Sequence, residues 1–181
     1  MKKILTAVLL SACAAVVILP LFAAEEAEYI GAKKCMICHK NERRGNQWGK
    51  WLEGPHSNAY ETLKSEHSKE IANEMGIEDP TKADKCLKCH VTAYNEPASK
   101  KQESFDPTEG VGCEACHGPG SIYKSMRIMK ALYEGTQDPE EVAFKHGDAE
   151  TCLGCHNEES PTYKPFDYEE DWAKISHNFP E

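Results

Sequence analysis

Four times in this chain, two cysteines separated by two residues are followed directly by histidine: Cys35-Met36-Ile37-Cys38-His39, Cys86-Leu87-Lys88-Cys89-His90, Cys113-Glu114-Ala115-Cys116-His117 and Cys152-Leu153-Gly154-Cys155-His156. They take eight of the nine cysteines. Cysteines at i and i+3 lie on one side of a helical turn, so both thiols of a motif can reach the two vinyl groups on one porphyrin edge. The adjacent histidine then meets the iron from that side. A disulfide scaffold, a zinc ribbon or thiol redox chemistry would each explain paired cysteines, but none requires the histidine. Eight histidines in 181 residues give about a 4% chance at any site, so four in a row by accident is on the order of a few in a million. The motifs therefore predict four covalently attached haem c groups, held by Cys35, Cys38, Cys86, Cys89, Cys113, Cys116, Cys152 and Cys155. His39, His90, His117 and His156 are the proximal iron ligands.

Each iron has a second axial position, and the histidines outside the motifs are His56, His67, His146 and His177. A chain with several haems needs such donors. His56, in Trp51-Leu52-Glu53-Gly54-Pro55-His56, and His177, near Trp172, are expected distal ligands. His146, six residues before Cys152, is a third candidate. His67 stands among Glu66, Ser68 and Lys69 and reads as a solvated surface residue. Met126 and Met129 could donate sulfur, but their spacing on one helix reads as packing.

The amino terminus carries Lys2 and Lys3 ahead of an apolar run from Ile4 to Phe22, which reads as an export segment over residues 1–24. The tetrahaem domain is then 25–181. The run at 4–24 could also stay as a membrane anchor, and Leu10-Ser11-Ala12-Cys13 is similar to a lipoprotein box. Removing 1–24 takes two lysines and no acids, so the net charge of −9 becomes −11. That excludes a nucleic-acid partner and favours basic docking surfaces on redox proteins.

Between motifs the helical signals are brief. Ser57 or Asn58 is expected to cap a sparse helix reaching Met75, Ser121 a helix over Ile122–Glu134 ended by Gly135, and Asp167 with Glu170 a capping-box helix ended by Pro180. Asn95–Gly112 and Asn157–Pro165 read as loops, and no alternation is long enough for a sheet. The predicted fold is mainly α, a loop-rich multihaem cytochrome in which haems form much of the core.

Lys33-Lys34 before the first motif, Trp51 and His56 after it, the run Gly110-Val111-Gly112-Cys113-Glu114-Ala115-Cys116-His117-Gly118-Pro119-Gly120, and Pro165-Phe166 together resemble the cytochrome c-554 family of tetrahaem proteins. The resemblance implies haems in parallel and perpendicular pairs, three of them bis-histidine and the second five-coordinate. His90 would then hold the open haem, with Pro165 and Phe166 lining its distal face, and His56 and His177 would match family distal ligands. Where the family commonly has a distal histidine after the third motif, this chain has Arg127 between Met126 and Met129, which leaves the sixth ligand of the first haem open.

The expected function is single-electron relay between redox partners in the periplasm or outside the cell, since no substrate pocket or acid–base constellation is visible. Two alternatives stand beside it. One is reduction of a small nitrogen oxide at an open haem, and the other is a subunit of an extracellular cytochrome filament.

Overall fold

The structure, a computed structural model, describes residues 26–177. The expected export or anchor segment, Cys13 and Pro180 lie outside them. Among the described residues no helix is long and apolar enough to cross a membrane. The chain is mainly α-helical and loop-rich, as expected, and among the described residues extended backbone pairs in one isolated parallel bridge between Tyr29 and Lys101.

The helices are short. Among the described residues they are, in chain order, α1 (Ala32–His39), α2 (Gln47–Glu53), α3 (Ala59–Thr62), α4 (Glu66–Glu74), α5 (Asp84–His90), α6 (Cys113–His117), α7 (Met126–Tyr133), α8 (Ala149–Leu153) and α9 (Tyr168–Ile175), with short 3₁₀ turns in some of the connections. None exceeds nine residues. Helices of this length are marginal alone and depend on what they pack against. The buried apolar set is small: Ile30, Ala32, Leu63, Ala72, Leu87, Val91, Tyr123 and Val142.

Three helix boundaries show how tertiary contacts reshape local signals. The expected helix from Ser57 to Met75 is split, because Leu63 turns inward against Leu87 and Val91. Ser65 then takes extended backbone and caps α4 by accepting from the Ser68 N–H at 3.1 Å. The helix expected from Ser121 begins at Met126 instead. Tyr123 is buried and donates its hydroxyl to the Gly118 carbonyl at 2.8 Å, which holds 121–124 in turns, and Ser125 accepts from the Ile128 N–H as the cap. Gly135 ends α7 in left-handed backbone, φ +67°, where glycine meets no Cβ penalty. At α9 the expected cap holds, with Asp167 accepting from the Glu170 N–H at 3.0 Å. The reciprocal bond goes to Asp171, since Glu170 pairs with Lys174.

Candidate haem-binding site

Each motif sits on a helical turn. The first three lie within α1, α5 and α6. The fourth begins in α8 and is completed by a turn, the N–H groups of Cys155 and His156 both donating to the Cys152 carbonyl. Both thiols of each motif thus project from one side of a turn.

Contacts between motifs arrange the four in space. The Cys35 side chain lies beside that of Cys113, and the Cys89 side chain beside that of Cys155. The Lys88–Glu159 ion pair adds a second tie between the second motif and the segment after the fourth. Burial pushes the Cys116 thiol up to about 11.

Three of the histidines expected as proximal ligands are held through Nδ1. His90 Nδ1 is bonded to the Ala59 carbonyl at 2.6 Å, and His117 Nδ1 to the Lys145 carbonyl at 3.0 Å. A carbonyl only accepts, so Nδ1 carries the proton in both and Nε2 is left with its lone pair outward, the form a metal binds. His39 Nδ1 lies 3.2 Å from Gln47 Oε1, while the Gln47 amide donates to the Arg44 carbonyl. Burial lowers the His117 pKa, and burial followed by the neighbouring His156 lowers that of His56. Both imidazoles are therefore neutral at neutral pH.

Two of the expected distal histidines meet proximal ones. The His56 ring centroid lies 6.1 Å from that of His156 at an interplanar angle of 71°. His177 lies 5.9 Å from His117 at 68°. Two imidazoles on opposite sides of one metal, each bonded at about 2.0–2.1 Å, have centroids about 6 Å apart. His146 reaches the same neighbourhood by a different contact: it packs edge-on against Phe144 at 5.0 Å, and Phe144 stacks on His117 at 5.5 Å. His67 is 78% exposed with Glu70 as its neighbour, as a surface histidine should be. Phe166 stacks on His156 of the fourth motif at 4.8 Å, and Pro165 beside it is exposed.

A glycine-rich strap holds His56. The His56 carbonyl accepts from the Val111 N–H at 3.0 Å, Trp51 Nε1 donates to the Val111 carbonyl at 2.8 Å, and the Thr92 hydroxyl accepts from the Gly112 N–H at 2.7 Å. Gly110 has φ +74°, and a Cβ there would lie 2.7 Å from the His56 carbonyl oxygen. His177 is placed by α9, whose Trp172 ring lies over Gly147 close to Cys116 and stacks on Tyr168. Helix α7 comes near the turn that follows the first motif: Arg44 Nη1 is 3.9 Å from Met126 Sδ.

The apolar side chains inside the motifs complete the fit to a large apolar ring. Ile37, between Cys35 and Cys38, is 68% exposed, and Leu153, between Cys152 and Cys155, is 49% exposed. Among the described residues no three His, Cys, Asp or Glu side chains converge as a metal site does. A zinc ribbon would need four convergent ligands, whereas haem requires two thiols and one or two imidazoles per iron.

The profile of the family described as "Cytochrome c554 and c-prime" matches residues 34–118. The cytochrome c-554 of Nitrosomonas europaea is 33% identical over 177 residues, covering 87% of this chain and 73% of that protein. This chain belongs to the cytochrome c-554 family. No solved structure matches it. As a member of that family it is a c-type cytochrome with covalently bound haem c and a role in electron transfer. The family profile ends at Gly118, so it spans the first three motifs and the Gly110 strap.

Sequence reasoning passed over several residues that build this cytochrome c-554 site. Phe144, Gln47 and Thr92 carry no motif. Glu114 stood in plain view inside the third motif, where an acid flanked by glycine turns signals a buried polar contact.

Proposed function

We propose that this chain is a tetrahaem carrier that relays single electrons between redox proteins outside the cytoplasm, with all four CxxCH motifs occupied. The observation that carries this reading is the pair of ring separations, 6.1 Å for His56–His156 and 5.9 Å for His117–His177, each joining a proximal histidine to one far away in sequence. On this reading His56 and His177 are the distal ligands of the fourth and third haems. Bound haem supplies a one-electron iron couple whose potential its ligands and surroundings set. The polypeptide fixes the attachment points. The first and third motifs lie side by side through Cys35 and Cys113, and the second and fourth through Cys89 and Cys155, which supports short steps within each pair.

The remaining finer assignments follow from the same frame. His39 and His90 are proximal ligands whose distal partners are open, with Met126, Met129, His146, the exposed His67, a neighbouring subunit or nothing at the first, and Pro165 and Phe166 bordering the second. Residues 1–24 direct export or anchor the chain, and the acidic surface meets basic redox partners.

Mass spectrometry and electron paramagnetic resonance of the purified oxidised protein test the proposal. Four covalent haems are expected. His56→Ala and His177→Ala should each convert one low-spin haem to high-spin, whereas His67→Ala should convert none. A chain of polypeptide mass alone, or either ligand variant with an unchanged low-spin count, would refute it.

A further inference from the structure

Glu114, the second residue of the third motif, has no part in haem attachment, yet it is the most buried acid described, 3% exposed. Its Oε1 accepts from the Ile30 N–H at 2.9 Å and the Gly120 N–H at 2.7 Å. Its Oε2 accepts from the Gly31 N–H at 2.8 Å and shares the Ile30 N–H at 3.1 Å. Ile30 and Gly31 lead into α1, which carries the first motif. Gly120 follows the third. The carboxylate therefore pins the first motif to the third, with backbone N–H groups as its partners, no lysine or arginine among them, and the Glu109 carboxylate as its charged neighbour. Burial pushes its carboxyl up against the pull of these donors. Both oxygens face donors, so the site is built for the anion.

An oxidised haem carries one more positive charge than a reduced one. A fixed anion in a low-dielectric surrounding stabilises the oxidised form and lowers the potential. We propose that Glu114 is a positioning residue for electron transfer, a buried anion that locks the first motif onto the third and holds the potentials of both their haems below the values they would have without its charge. The proposal rests on the tetrahaem reading.

The test compares the haem-loaded wild type with Glu114→Gln and Glu114→Asp. Haem content is read by mass spectrometry and potentials by a spectroelectrochemical titration. With four haems attached, Glu114→Gln is expected to move two of the four redox waves to more positive potential and leave the other two in place. Glu114→Asp keeps the charge but draws it back by one methylene, and should move the same two waves by less. Four haems with no wave moved, or all four moved alike, would overturn the proposal. Where Glu114→Gln fails to take up its haems, Glu114→Asp decides by the same criterion. Loss of haem from both variants would also overturn it, reducing Glu114 to a folding residue. A wild type without covalent haem instead defeats the tetrahaem reading itself, and this proposal with it.

Discussion

Replacing Gly110 by alanine is expected to displace His56 and expose one iron. The backbone there has φ +74° and ψ −140°, a region essentially reserved for glycine. The new Cβ would stand 2.7 Å from the His56 carbonyl oxygen, 3.1 Å from the Ser57 carbonyl oxygen and 3.2 Å from the Ala59 nitrogen. All three are backbone atoms, so no side chain can swing away. Backbone strain of this kind costs about 1–3 kcal/mol. Parting the strap also loses the Val111 N–H bond to His56 and strains the Trp51 bond to Val111, each of which contributes about 0.5–1.5 kcal/mol. The destabilisation should thus fall at about 2–6 kcal/mol, a large share of a typical domain stability of about 5–15 kcal/mol. Urea unfolding followed by circular dichroism should show a lower midpoint at unchanged slope, and electron paramagnetic resonance should show one low-spin haem turned high-spin. A Gly110→Ala protein with the wild-type midpoint and the wild-type spin count would refute the placement of His56 by this strap.

Two further outcomes are expected. Asp167→Ala removes the cap of α9, a loss of about 0.5–2 kcal/mol, and because α9 delivers His177, a growing high-spin fraction on warming should appear that Asp167→Asn suppresses; identical spectra across the three proteins would contradict it. Lys82, and then Thr81, hold the Asp79 carboxyl down at about 2, so its contribution to stability is full above the unfolded value of about 3.9 and is lost as pH falls through about 2. Asp79→Asn should therefore flatten the fall in urea midpoint over that window, and a fall as steep as that of the wild type would show that the turn carries none of it.

Local chemistry was legible in the sequence. Three-residue spacing within CxxCH puts both thiols on one side of a turn in any context, so that local geometry could be read off directly. The Asp167 cap, the Gly135 stop and the solvated His67 were equally readable, because each depends on neighbours within one helical turn. The run from Gly110 to Gly120 marked the family for a reason visible only in three dimensions: Gly110 passes against His56, and Glu114 reaches Ile30 and Gly31. What the tertiary structure alone decided are the meetings of residues far apart in the chain. Ser57–Met75 looked like one helix until Leu63 found Leu87 and Val91, and Ser121 looked like a cap until Tyr123 was buried. His56 and His177 were candidates on context, and only packing of the strap and of Trp172 brought each ring beside a motif histidine. Spacing along the chain specifies a turn, whereas the choice between distant partners depends on burial and close approach that no single segment contains.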